Sequence, residues 1–213
     1  MDKLQCVCSL REAVCITEKS EKGPVACPTN TRGEIIERAK EKYRDKELAK
    51  LALEAARVEA SGYMRWTRVE EIIQLAKRMG YKKLGIATCL GLINESKILT
   101  QIMEAKGFEV VSVCCKTGGI PKEFVGIKDE EKVSPGKHES MCNPIAQAEI
   151  LNEEGCDFNI LLGLCVGHDS LFLKHTKALT TVLVVKDRVL CHNPVAAIYN
   201  TNVYYRRLLV KEA

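Results

Sequence analysis

The sequence has no long apolar run, few aromatic residues and little excess charge. No segment approaches the ~18 consecutive apolar residues that would cross a bilayer, and the N-terminal residues lack the apolar core of a signal peptide. Basic residues number 32 against 28 acidic ones, a formal net charge of +4. That excess is too mild for the clustered basic face of a nucleic-acid-binding protein. We therefore expect a cytoplasmic protein with neither a membrane nor a nucleic-acid partner.

The common nucleotide-binding motifs are also missing. There is no GxxxxGKS/T phosphate-binding loop, and Gly85 and Gly91 do not form a GxGxxG dinucleotide fingerprint. The sequence therefore does not support a nucleotide as ligand.

Cysteine, by contrast, is abundant, with 11 residues in a chain of 213. In a secreted protein this number would suggest disulfides, whereas in a cytosolic protein it indicates metal binding or thiol chemistry. The count is odd, so disulfides alone would leave one thiol over. Some of these cysteines are expected to be small buried apolar side chains.

The first 30 residues contain Cys6, Cys8, Cys15 and Cys27, and Pro28 follows the last of them. Such a segment is too short to build its own core, and a bound metal would supply the missing folding energy. A Cys-Pro ending is typical of iron–sulfur loops, although the spacing differs from the standard ferredoxin run. Zinc would suit four cysteines equally well. The alternative is a tail with incidental cysteines.

Two helices are predicted between residues 31 and 80. Thr31 and Glu34 have the spacing of a capping box for the first, and Thr67 and Glu70 have the same spacing for the second, which runs to Met79. The predicted organisation is a Cys-rich metal- or cluster-binding segment at 1–30, a helical pair packing on the core at 31–80, and an α/β domain at 81–213.

From residue 81 onward, strand and helix patterns alternate. We predict strands at 83–88, 108–114, 158–164 and 180–186, with 188–191 pairing back on the last, and helices at 92–106, 144–152 and 168–175. This alternation implies a parallel sheet with right-handed crossovers. The predicted fold class is α/β, with three layers and a mostly parallel sheet of four or five strands. Its character is flavodoxin-like, with strand order 2-1-3-4.

Four cysteines fall where predicted strands meet loops or helices: Cys89, Cys115, Cys142 and Cys165. Ligands of open α/β sheets collect outside the carboxyl ends of the strands, so we expect these thiols to share one edge. Helix N-termini near Cys89, Cys142 and Cys165 would favour the thiolate form. The alternative is that all four are small residues at tight turns.

Neighbouring residues leave alternatives open. Cys114 competes with Cys115, because adjacent strand residues point to opposite faces, and Cys191 is a reserve ligand. His168 is a candidate proton donor, fourth ligand or helix-start residue. Lys116 precedes two glycines whose amides could bind a sulfide or an anionic substrate. Lys116 and His168 are the candidate catalytic residues.

Several motifs together resemble one known family: GIATCLGLINE, CCKTGGI, MCNPIAQAEILNE, GLCVGHDSLFLKH and TTVLVVKDRVLCHNPVAAIY. It is the prokaryotic family called domain of unknown function 1847, described as metal-binding proteins. The resemblance covers nearly the whole chain and implies Cys89, Cys115, Cys142 and Cys165 as family-motif cysteines. It implies no reaction.

Three functions remain open from the sequence. The first is an iron–sulfur protein of the 4Fe-4S type, with clusters at the rim and in the N-terminal segment, acting on a small molecule or a redox partner by redox or Lewis-acid chemistry. The second is a non-catalytic zinc-binding or metal-handling protein, since thiolates suit both metals. The third is a metal-free thiol or sulfur-transfer enzyme using Cys114 and Cys115, or Cys165. An oligomer is compatible with all three.

Overall fold

A computed structural model describes residues 4, 6, 8, 13–16, 24 and 26–211. The chain divides into two units, Met1–Ser61 and Gly62–Ala213. Each unit is described by itself. The three-part organisation expected from the sequence stays a prediction.

The described part of the first unit is helical. It contains a 3-10 turn at Val14–Ile16 and helices α1 (Pro28–Thr31), α2 (Gly33–Lys42) and α3 (Lys46–Gly62). The prediction of a capping box at Thr31 and Glu34 is wrong. A proline at the first helical position begins α1 earlier, and the Thr31 hydroxyl donates to Cys27 O at 3.0 Å instead.

The second unit contains the sheet and the remaining helices. Its strands are β1 (Lys83–Thr88), β2 (Glu109–Cys114), β3 (Phe158–Leu164) and β4 (Leu179–Val185), and its α-helices are α4 (Arg68–Met79), α5 (Ile93–Ala105), α6 (Pro144–Glu153), α7 (His168–His175) and α8 (Val195–Tyr199). Short 3-10 segments occur at Leu90–Leu92, Lys122–Val125, Asp129–Glu131 and Arg206–Leu209. None of the helices described is long and apolar enough to span a bilayer.

All four strands are parallel, in the order β2-β1-β3-β4. The predicted strand order and the α/β, flavodoxin-like fold are thereby confirmed. All seven residues of β3 are buried, as are five of the six in β1. Two central strands that are covered on both faces explain why these segments read as continuous apolar runs.

Alternate residues of the strands face two different layers of helices. Ile86 packs in a cluster with α4 and α5, whereas the next residue, Ala87, packs with α6 and α7. This period-two alternation produces the three layers. Helix α4 begins with the predicted capping box, in which Thr67 N donates to Glu70 Oε2 at 2.7 Å.

Residues after β4 differ from the prediction. Residues 188–191 form a turn rather than a strand. Cys191 and His192 have φ of 49° and 64°, in the left-handed region that cannot continue an extended strand. The Asp187 carboxylate closes the turn by accepting two backbone N–H groups, at 3.0 and 2.8 Å.

The long connection between β2 and α6 is locally ordered. A single antiparallel bridge joins Pro121 to Ser140. Lys132 is buried and forms ion pairs with Glu123 and Asp129. Both features give residues 116–141, called the β2–α6 loop below, a defined shape.

Candidate thiol site at the sheet edge

The sheet brings Cys89 and Cys115 side by side. Thr88 and Cys114 are paired across β1 and β2, so the next residue of each strand lies at the same edge. Cys115 N donates to Thr88 O at 2.8 Å, and Asn143 N donates to Cys115 O at 2.7 Å. The second bond brings the start of α6, and with it Cys142, to the same place.

The three thiols at this edge interact directly. Interaction with the thiols of Cys142 and Cys89, together with burial, raises the pKa of Cys115. The same contacts with Cys115 lower the pKa of Cys89 and that of Cys142, each to about 5. Cys115 is 2% exposed, and its sulfur accepts the Leu90 N–H at 3.3 Å. The interaction thus favours the thiolate form of the two outer sulfurs, Cys89 and Cys142, and the protonated form of Cys115.

Cys165 reaches the edge from the end of β3. It is half-buried, and its sulfur accepts a hydrogen bond from Arg188 Nη2 at 3.2 Å. The hydrogen bond with Cys165 is the main cause of the raised pKa of Arg188, and the charges of Cys89 and Cys142 raise that pKa further. The Arg188 guanidinium thus links the fourth thiol electrostatically to two of the other three.

Each of the three outer thiols has a cationic partner. The pairs are Lys186 with Cys89, Lys116 with Cys142 and Arg188 with Cys165. His168 also favours the thiolate of Cys142. None of these three cations is ion-paired with a carboxylate in the part of the chain that the structure describes. The site therefore has positive charge available for anionic sulfur.

Lys186 and Arg188 were missed in the sequence analysis. Both follow β4, so applying the rule for carboxyl ends of parallel strands to β4 as well as to the other strands would have identified them. The mistaken strand at 188–191 concealed Arg188 in particular.

Gln147 was missed as well. It lies on α6, is fully buried, and its Nε2 donates to Thr88 O at 3.0 Å and to Val113 O at 2.6 Å. Thr88 is the last residue of β1 and Val113 the next-to-last residue of β2, so Gln147 ties together the backbone that positions Cys89 and Cys115. Sequence alone does not reveal such a role, because nothing local marks this glutamine as buried.

A cavity of about 740 Å³ lies beside the thiols. Its lining includes Cys142, Cys165, Lys116, His168 and Arg188. His168 Nδ1 is buried and has no hydrogen-bond partner. Because buried polar atoms are nearly always paired, this nitrogen is an exception within the site.

Other cysteines are placed elsewhere. Cys114 is half-buried and does not make the contacts of Cys115. The reserve ligand Cys191 is exposed and lines a different cavity with Glu95 and His192. Cys156 is buried in the apolar cluster below the site, and desolvation raises its pKa to about 11.

The N-terminal cysteines are seen individually rather than as a group. Cys6 and Cys15 are exposed, Cys8 is half-buried and Cys27 is buried. Many of the residues between them lie outside the described residues. The four-cysteine N-terminal site stays a prediction.

The donor set at the sheet edge fits a thiophilic metal in its chemistry. Four soft sulfur ligands suit zinc or iron–sulfur clusters, and the three cations offset their negative charge. In the described ranges, no three or more Cys, His, Asp or Glu side chains already have the arrangement of a formed metal site. Metal binding therefore requires the sulfurs to turn from one another toward a common centre.

Comparison with known proteins agrees with the sequence motifs. The family model described as Protein of unknown function (DUF1847) matches residues 27–183. The chain belongs to the DUF1847 family. The matched region includes Cys27, Cys89, Cys115, Cys142 and Cys165, whereas Lys186 and Arg188 lie beyond its end. The chain is also similar to an uncharacterized protein of Methanocaldococcus jannaschii, MJ0455, with 53% identity over 176 residues, which cover 83% of this chain and 89% of that protein.

Proposed function

We propose that this DUF1847-family protein holds a metal centre at the sheet edge through Cys89, Cys115, Cys142 and Cys165. The observation that carries the proposal is the backbone pairing that brings Cys89, Cys115 and the residue after Cys142 to one edge of the sheet. Arg188 contacts the fourth thiol, Cys165, at 3.2 Å. Thiolates are the form of cysteine that binds metals. Because this site already stabilises thiolates, removing the thiol protons when a metal binds costs less free energy.

The centre that we favour is an iron–sulfur cluster of the 4Fe-4S type. Its four thiolate ligands leave a net negative charge, which Lys116, Lys186 and Arg188 would offset. The cluster would supply electron transfer, or Lewis-acid chemistry if only three thiols bind it, to a small molecule in the adjoining cavity. His168, which lines the cavity, would then exchange a proton with that molecule.

Zinc is the second candidate, because four cysteine thiolates are a common ligand set of structural zinc sites. Tetrahedral zinc, with Zn–S bonds of about 2.3 Å, would hold the four sulfurs about 3.8 Å apart.

The decisive experiment is the determination of iron, zinc and acid-labile sulfide in protein purified without oxygen. About four irons with equal sulfide, or about eight if the N-terminal site is also filled, and absorption near ~400 nm would support iron–sulfur clusters. Zinc without sulfide would support the second candidate. Protein with no metal would overturn both and leave thiol chemistry as the function.

Matched variants assign the metal to the rim. Cys115→Ala, and Cys115→Ser as the variant closest in size, should lose one whole centre per chain. Cys156→Ala is the control, because this cysteine is buried in the same apolar cluster and does not contact the other thiols in the described structure. Unchanged metal content in both Cys115 variants would contradict the assignment. A combined Cys6→Ser, Cys8→Ser and Cys15→Ser variant should keep the rim centre.

A further inference from the structure

The cavity beside the thiol site has a mixed lining. It includes Cys142, Cys165 and the cations Lys116 and Arg188, together with apolar residues of the β2–α6 loop and of α6 and α7. Its volume of about 740 Å³ lies within the range of roughly 300–1,000 Å³ that is usual for small-molecule sites. Its shape and size therefore suit a molecule of moderate size with two chemically different ends.

Two cations that line the cavity have no carboxylate partner among the described residues. Lys122 and Glu139, which also line the cavity, form an ion pair and neutralise each other. Lys116 donates to the backbone carbonyl of Ser140, and Arg188 donates to Cys165. Neither Lys116 nor Arg188 is ion-paired with a carboxylate in the part of the chain that the structure describes, so both can contact an anionic ligand.

A bound metal would leave one net positive charge at the site. Four thiolates on one divalent ion, or on a cluster core of the same charge, leave two negative charges. Three cations surround them: Lys116, Lys186 and Arg188. The remaining positive charge favours an anionic group of a ligand over a neutral or cationic one.

The lining also includes apolar side chains that are exposed to solvent. Val125 and Val133 of the β2–α6 loop are 57% and 87% exposed, and Leu171 and Ile145 are 40% and 38% exposed. All four line the cavity. Adjoining exposed apolar residues around a concave site commonly mark a binding surface, and the apolar part of a ligand would cover them.

We propose that this cavity binds a small organic anion with an apolar body, such as a medium-chain carboxylate. The anionic group lies against Lys116, Arg188 and His168, beside Cys142 and Cys165. The apolar body lies along Val125, Val133 and Leu171. That this anion is the substrate rests on the proposed metal function, whereas its binding does not require the metal.

The test uses anilinonaphthalene sulfonate, a fluorescent anion with an apolar body, and three competitors. Octanoate should displace the probe at concentrations at least about tenfold lower than butanoate, which lacks most of the apolar body, or octylammonium, which has the opposite charge. Equal displacement by octylammonium and octanoate would overturn the proposal. If butanoate displaced the probe as well as octanoate does, the role of the apolar lining residues would be refuted.

Variants place the probe in this cavity rather than on another apolar surface. Lys116→Met and Arg188→Met should each weaken octanoate binding at least about tenfold, and Lys116→Arg should restore much of it. Lys137→Met is the matched control, because Lys137 is an exposed lysine of the same loop that does not line the cavity. Equal binding by Lys116→Met and Lys137→Met would overturn the proposal, provided that circular dichroism shows both to be folded.

Metal content measured on the same samples separates this inference from the proposed function. Selective octanoate binding in metal-free protein would retain the anion site and refute the metal centre. A metal-loaded protein that does not select octanoate would retain the centre and refute the anion site.

Discussion

Arg188 Nη2 donates a hydrogen bond to Cys165 Sγ at 3.2 Å, although the two residues are 23 positions apart in the chain. The contact joins the end of β3 to the turn that follows β4. It positions a permanent positive charge beside a sulfur that would otherwise interact only weakly with the three contacting thiols. Arg188 thus completes a pattern in which every outer thiol of the site has its own cation.

The first prediction concerns this pair. Arg188→Gln should increase the rate at which a chelator removes the rim metal by about tenfold or more, because loss of a residue that supports a metal ligand typically reduces affinity 10–100-fold. Arg206→Gln is the control, because Arg206 bonds to Asn202 O far along the chain from the thiols. Equal chelator rates for the two variants would show that Arg188 does not support Cys165.

The second prediction concerns Gln147. Gln147→Leu removes two hydrogen bonds to buried carbonyls, so the free energy of unfolding should fall by about 1–3 kcal/mol, and the rim metal should be held less tightly. Gln101→Leu, at an exposed position of α5, should change stability by no more than about 0.5 kcal/mol. Urea unfolding measures both, and equal stability would contradict the role given to Gln147.

The third prediction concerns the close approach of β1 and β3. A Cβ at Gly85 would lie 2.0 Å from Asn159 Oδ1 and 2.9 Å from Leu151 Cδ1, and both neighbours are fully buried. Gly85→Ala should therefore lower the melting temperature by several degrees, since overpacking commonly costs about 1–3 kcal/mol. A Cβ at Gly33 would have no atom within 4 Å, so Gly33→Ala should not lower the melting temperature. A Gly85→Ala protein as stable as the parent would mean that β3 can shift.

The fourth prediction concerns acid and the β2–α6 loop. Lys132 holds the pKa of Glu123 and of Asp129 below their ordinary values. Carboxyl groups with a lowered pKa stabilise the folded state above their ordinary pKa, and this contribution is lost as the pH falls through the folded value.

Lys132→Met removes the cause of both shifts. Between pH ~7 and pH ~3, the melting temperature of the native protein should therefore fall more than that of the variant. Lys137→Met should behave like the native protein. If acid lowered the melting temperature of the native protein and of Lys132→Met by the same amount, this ion-pair cluster would be excluded as a source of acid sensitivity.

Much of the fold could be predicted because its signals are local. The bounds of β1, β3 and α7 agree with the prediction, and β2 and β4 differ by one residue at their ends. Continuous apolar runs are typical of central parallel strands. Where a signal was weak, as at residues 188–191, the prediction was wrong, because two left-handed residues and the Asp187 cap formed a turn instead.

The sequence by itself determined the strands, their order by analogy with doubly wound sheets, and the presence of cysteines at their carboxyl ends. Only the tertiary structure decided which thiol touches which, that Cys115 is the central one, and that Lys186, Arg188 and Gln147 serve the site. The physical reason is distance along the chain. A strand or a helix start depends on neighbouring residues, whereas these contacts join segments tens of residues apart and depend on strand register and helix packing.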